Sequence, residues 1–304
     1  MRVLVTGWPS FVNGEATAGD ELSMRRVDSA LGAAGIDRDL VWSPVFRPGG
    51  LHFEDAHPAR YTHVVFVCGP AHGWQVRELH QRYANCRRIA VGVSVIDPDD
   101  PAVRGFDKVL PRDGGRRPFP DLSADSVTSA VPVVGVVLAP GQQEYGERRR
   151  HDEVHARLLR WVTGLDCARV PLDTRLDSTD WRLCATGDQF LSLLARLDAV
   201  VTTRLHGLVL ALRAGIPALA IDPVAGTGKV AAQARALGWP AWVSAETALD
   251  LGDDSLHRWW HWCLSPEGRE RAAGWSPRQG DSLLAGLLDE LSSGMDTSTS
   301  LGLH

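Results

Sequence analysis

The sequence predicts an α/β protein of two domains, each a parallel sheet covered by helices, and three observations carry that prediction. Short β-branched runs alternate with helical stretches, the alternation is interrupted once by an irregular segment, and it then restarts. In the first half the strands are "RVLVT" (2–6), "THVVFVC" (62–68) and "RRIAVGVS" (87–94). Between them lie the helical stretches "DELSMRRVDSALGAAG" (20–35) and "QVRELHQRYANC" (75–86). This βαβ rhythm requires crossover connections and therefore parallel pairing. From 111 to 132 the text turns rich in Pro, Gly, Ser and Asp, which places an N-terminal domain at 1–120 and a linker at 121–132. The rhythm resumes at "VPVVGVVLAP" (131–140) and continues through helices around 154–164 and 188–198, the strand "AVVTT" (199–203), its helix and the strand "PALAID" (217–222). The C-terminal domain is expected to span 133–293. Its closing helix, "DSLLAGLLDELSS" (281–293), is expected to pack back on the N-terminal domain, with a disordered polar tail at 294–304. The tryptophans of "LHRWWHWCLS" (256–265) read as packing between elements.

Composition narrows the function. The 304 residues carry 32 Lys and Arg against 37 Asp and Glu, with no basic block, which argues against a nucleic-acid surface and makes any anion site local. The five cysteines, Cys68, Cys86, Cys167, Cys184 and Cys263, lie far apart and form no CxxC pair, so neither a disulfide framework nor a zinc site is indicated. No apolar run approaches the roughly 18 residues of a membrane span, and "MRVLVTG" enters a strand without a signal-peptide core. A cytoplasmic protein is expected. Oligomeric state is not legible.

The residues that carry chemistry cluster where strand 199–203 meets its helix. In open parallel sheets, ligands sit beyond the carboxyl ends of the strands, and Thr203, Arg204, Leu205 and His206 occupy that edge. With Thr203 as N-cap, Arg204 is the first helical residue and His206 the third. A cation there opposes the helix dipole by roughly 0.3–1 kcal/mol. A bound anion would offset that cost, because it meets the dipole, free N–H donors and a guanidinium fork at once. The alternative is that Arg204 bridges to a neighbouring carboxylate and His206 caps a carbonyl. The next strand runs into "IDPVAGTGKV", where Gly226 and Gly228 precede Lys229; Pro223 and Val230 depart from a P-loop, leaving a glycine-rich helix start or a plain turn with a solvated lysine. In the first half, the long loop "GWPSFVNGEATAGDEL" offers Asn13 and Glu15 to a ligand, with Asp20 as the helix cap, and Arg112 is the alternative second cation. "HDEVH" (151–155) lacks the Glu of a zinc-protease helix, because Asp152 follows the first His, so no metal is assigned.

The ordered set "NGEATAGDEL", "VPVVGV", "DQFLSLLARLDAVVTTRLHGLVLALRAGIPALAID" and a lysine-bearing turn resembles the polysaccharide pyruvyl transferase family, most specifically at Arg204-Leu205-His206. The resemblance implies two Rossmann-like domains facing across a cleft, GT-B-like, with phosphoenolpyruvate bound by the C-terminal domain and a carbohydrate acceptor by the N-terminal one. It implies a pyruvate ketal and phosphate as products, with no cofactor. Arg204 and His206 would act at the phosphoenolpyruvate, Lys229 would match the family's lysine, and Thr203, Leu205, Gly226, Gly228, Asn13, Glu15, Asp20 and Arg112 complete the candidate substrate-binding set. The chain departs from the family pattern at Cys68-Gly69-Pro70 and in the inserted 224–228 segment. Two other readings use the same edge: a GT-B-type glycosyltransferase with a nucleotide-sugar donor, and a binding homologue without catalytic activity.

Overall fold

The structure, a computed structural model, describes residues 1–141, 143–226, 228–276 and 283–296. The chain divides into two compact units, Met1–Ser129 and Ala130–His304. Each is a Rossmann-like parallel sheet with helical crossovers.

The first unit runs β1 (Arg2–Gly7), α1 (Ala18–Ala33), β2 (Asp37–Leu40), β3 (His63–Val67), α2 (Trp74–Arg82), β4 (Arg87–Ser94), α3 (Pro101–Arg104) and β5 (Lys108–Asp113). The strands are all parallel, in the order β2-β1-β3-β4-β5. The central strands are apolar on both faces, as a covered parallel sheet demands, and Leu4, Val64, Phe66 and Ala90 are fully buried. The edge strand β2 reads "DRDL" and is half-buried to exposed; Asp39 there takes an ion pair from Arg2 of β1 at 2.9 Å. Helix α1 begins earlier than expected and Thr17, not Asp20, is its N-cap. The Thr17 hydroxyl accepts from the Asp20 amide at 3.2 Å and donates to the Asp20 carboxylate at 2.6 Å, so Asp20 sits inside the first turn and meets its dipole.

The segment expected as a linker is built into this unit as far as Ser126. A 3-10 turn over Leu122–Asp125 packs on α1, Arg26 pairs with Asp125 at 3.0 Å, and the Ser126 hydroxyl donates to the Leu22 carbonyl at 2.9 Å.

The second unit runs β6 (Val133–Val137), α4 (His151–Thr163), β7 (Ala168–Leu172), α5 (Gly187–Leu194), β8 (Ala199–Thr202), α6 (Leu205–Arg213), β9 (Ala218–Ile221), α7 (Lys229–Ala236), β10 (Trp242–Val243), α8 (Ala245–Leu249), α9 (Ser255–Leu264), α10 (Pro266–Ala273) and α11 (Leu283–Asp296). Its order, β10-β9-β8-β6-β7, repeats that of the first unit, counted from its own first strand. Strands β8 and β9 are parallel neighbours, as the crossover through α6 requires. The tryptophans pack as expected: Trp260 is buried edge-on against Trp161, and Trp262 meets Trp239 and Trp259. Leu283, Leu284, Leu287, Leu288 and Leu291 of α11 are exposed. Helix α11 runs through Asp296, past the start of the expected tail, and 297–304 lie outside the described residues. No described helix is long and apolar enough to cross a membrane.

Candidate functional site

In a doubly wound sheet the crevice for ligands opens where the chain reverses its direction of winding. In the second unit that point lies between β6 and β8. Both strand ends are locked there by buried threonines. The Thr203 amide and the Thr202 hydroxyl donate to the Val137 carbonyl, at 3.1 and 2.9 Å, and the Thr203 hydroxyl accepts from the Ala139 amide at 2.9 Å. Gly207 lets α6 come this close, since a Cβ there would stand 2.2 Å from the Thr202 hydroxyl oxygen.

The helix starts one residue later than the sequence suggests. Thr203 is committed to the strand end, and Arg204 is the N-cap, in extended conformation and with no side chain capping the turn. His206 is therefore the second helical residue. The amides of Leu205, His206 and Gly207 meet no acceptor among the described residues. The Leu205 side chain packs against the core while its amide faces the open end. The His206 side chain is exposed and makes no hydrogen bond among the described residues.

Arg204 is only partly free. Its Nη1 contacts Oδ1 of Asp173, the residue that follows β7, so the bridged alternative raised from the sequence is present. Asp173 also accepts from Arg175 Nε at 2.7 Å. Burial pushes the Asp173 carboxyl up, but the hydrogen bonds from the Arg175 amide and side chain and the charge of Arg204 outweigh it and hold it below the usual carboxylate range. Two guanidiniums to one carboxylate leave this cluster of three side chains net positive.

Two residues that sequence reasoning set aside stand at the same edge. His155 shares a hydrogen bond of 3.0 Å with the Thr203 hydroxyl, and His151, one turn earlier, is completely buried with neither ring nitrogen partnered among the described residues. Burial depresses both pKa values, with Arg149 adding to the effect at His151 and His151 at His155. Read only as a failed metal motif, "HDEVH" conceals that its two histidines open the helix after β6, at the ligand edge. Among the described residues no cluster of three or more potential metal ligands occurs.

The glycine-rich turn holds two of the protein's own carboxylates. Asp222, 1% exposed, accepts from the amides of Val224, Gly228 and Ala231 at 3.1, 3.0 and 2.8 Å, so α7 already holds a carboxylate at its N-terminus. Gly228 is required by that contact, as a Cβ would meet Asp222 Oδ1 at 2.4 Å. The Gly226 amide donates to Glu246 at 3.0 Å. Gly226 and Gly228, named in the candidate substrate-binding set, thus have their amides bound to the protein's own acids. Thr227, within the inserted segment, lies outside the described residues. Lys229, first residue of α7, is exposed and pairs with no described residue.

The first-unit candidates separate in the same way. Asn13 lines a cavity, Glu15 is exposed beyond its lining, and Asp20 is engaged with Thr17. Arg112, the alternative second cation, contacts Asp121 and donates to Asp113 at 3.0 Å and to the Ser94 hydroxyl at 2.7 Å, so its guanidinium is engaged within the first unit. Burial acts to raise the Asp121 carboxyl, yet hydrogen bonds from the Ser123 hydroxyl and amide and from Arg112 hold it at about 2. The sign follows: this carboxylate contributes stability fully above its ordinary value near 4 and loses it as pH falls through about 2. Asp121→Asn is expected to cost about 1–2 kcal/mol at pH 7, with the deficit about halved by pH 3. Urea unfolding of both proteins across that range checks it, and a deficit independent of pH would refute it.

No curated protein matches the sequence. The solved structures to which the chain shows similarity include UDP-GlcNAc 2-epimerase from Methanocaldococcus jannaschii (11% identity, 96% of this chain and 99% of that one, TM-score 0.32). Another is the E. coli ADP-heptose lipopolysaccharide heptosyltransferase II (17%, 87% and 98%, TM-score 0.28). A third is the spinosyn rhamnosyltransferase SpnG (12%, 96% and 100%, TM-score 0.31). The family model for polysaccharide pyruvyl transferase matches residues 184–223, the stretch that carries α5, β8, Arg204, His206 and β9, and it is to that family that the second unit is similar there.

Proposed function

We propose that this protein transfers the pyruvyl group of phosphoenolpyruvate to a pair of hydroxyls on a saccharide, giving a cyclic pyruvate ketal and phosphate. The family match over 184–223 supports a transferase that modifies polysaccharides. The observation that carries the finer reading is the uncapped start of α6, with three amides open beside Arg204 and His206. Phosphoenolpyruvate bears a carboxylate and a phosphate, the groups that helix-terminal amides and a planar guanidinium bind best. Asp173 fixes the Arg204 fork, and Arg175 adds positive charge to the same edge.

In this reading His206 delivers a proton to the donor methylene carbon as the neighbouring carbon becomes electrophilic. One acceptor hydroxyl then adds there and gives up its proton. The carbon–oxygen bond to phosphate breaks, phosphate departs with that proton, and the second hydroxyl closes the ring, returning a proton to His206. His155, neutral and anchored to Thr203, keeps the strand end in register beneath the donor.

Phosphate release from phosphoenolpyruvate, assayed over a panel of saccharide acceptors, tests the proposal. Thermal stabilisation by a nucleoside diphosphate and none by phosphoenolpyruvate would favour a nucleotide-sugar glycosyltransferase instead. Lys229→Ala is expected to stay within about twofold of the parent protein in donor KM and in kcat, the range of an exposed substitution. A larger rise in donor KM would restore Lys229 to the site.

A further inference from the structure

The order β2-β1-β3-β4-β5 places the winding reversal of the first unit between β1 and β3. A cavity of about 400 Å³, within the range of small-ligand sites, opens at the carboxyl side of that reversal. The loop after β1 supplies Phe11 and Asn13, the segment after β2 supplies Phe53 and Asp55, and α2 supplies Trp74 and Glu78.

Its chemistry is unlike that of the Arg204 edge. No Lys or Arg lines it. Trp74, 54% exposed, opens α2 and presents an aromatic wall that the core does not use. Glu78 lies four residues on, on the same helix face, and forms no ion pair among the described residues. Of the other lining acids, Glu54 is paired with Arg82 at 3.2 Å and Asp55 stands 3.5 Å from His52. The side-chain amides of Asn13 and Gln75 also have no hydrogen-bond partner among the described residues, which leaves donors and acceptors for hydroxyl groups.

We propose that this cavity binds an amino sugar: the ring lies against Trp74, its hydroxyls meet Asn13 and Gln75, and its protonated amine pairs with Glu78. An aromatic face attracts a cation and an apolar ring surface alike. An anionic ligand, phosphoenolpyruvate included, is repelled by Glu78, the lining acid without an ion-pair partner among the described residues. That the bound ring is the acceptor rests on the pyruvyl transfer reading; that it binds does not.

The test is a titration of the full-length protein with glucosamine, glucose and glucuronate, following the Trp74 indole resonance assigned by Trp74→Phe. Glucosamine should shift it at lower concentration than glucose, and glucuronate should leave it in place. Glu78→Gln should weaken glucosamine binding roughly tenfold and leave glucose within about twofold, as loss of one charged partner predicts. Both variants alter exposed positions, and unchanged far-UV circular dichroism confirms that they fold. Equal binding of glucose and glucosamine, a shift with glucuronate, or indifference to Glu78→Gln overturns the proposal. Arg204→Lys should leave the titration unchanged, so a chain that binds glucosamine but releases no phosphate counts against pyruvyl transfer and not against this cavity.

Discussion

His206→Gln is expected to bind phosphoenolpyruvate within about twofold of the parent protein and to turn over about 10²–10⁴ more slowly, the span of a lost general acid. The glutamine keeps a side chain of similar reach and hydrogen-bonding capacity but has no proton to transfer. Its position is undemanding for the fold: His206 is exposed and makes no hydrogen bond among the described residues, so the change should cost little stability. In the proposed reading donor affinity comes from the amides of α6 and from Arg204, which the substitution leaves alone. Isothermal titration with phosphoenolpyruvate, set beside single-turnover phosphate release, separates the two effects. A collapse of affinity with unchanged turnover at saturation would make His206 a binding residue.

Arg204→Lys is expected to lose about 10- to 150-fold in kcat/KM, equivalent to one charged hydrogen bond of about 1.5–3 kcal/mol. Charge is conserved, so the loss isolates geometry. The guanidinium holds Asp173 with one nitrogen while its plane offers others to a ligand. A lysine ammonium engaged with Asp173 becomes a point charge with no second edge to present. The effect should appear mainly as weaker donor binding, and a variant within twofold of the parent in kcat/KM would remove Arg204 from the role.

The central strands of both sheets were legible because a covered parallel sheet writes itself as an apolar run: "RVLVT", "THVVFVC", "AVVTT" and "PALAID" all became interior strands. The strands that went unread are all at edges. Strand β2 is "DRDL", β7 contains Pro171 and β10 has two residues, and each departs from the apolar pattern in a way that edge strands tolerate. Missing β7 meant missing Asp173, whose place at a strand end is visible only once that strand is drawn. The helix start at 204 was legible to within one residue. What displaced it was the pairing of the Thr203 amide and hydroxyl with residues 64 to 66 positions earlier, a long-range demand that local capping preference does not contain. The glycines of the 222–229 turn stand out in the sequence as a glycine-rich helix start. Their partner, the buried carboxylate of Asp222, was hidden because an acid after a strand looks the same whether it faces solvent or its own helix.

That carboxylate settles a question of choice between two adjacent helix ends. Its three bonds close over no more than nine residues, so they belong to the contacts that form with little loss of chain entropy and are available early in folding. An anion that reaches this edge of the fold meets one helix whose first turn already holds a carboxylate and another whose first amides meet no acceptor among the described residues. Selectivity between the two helix starts is thus set by a side chain of the protein's own.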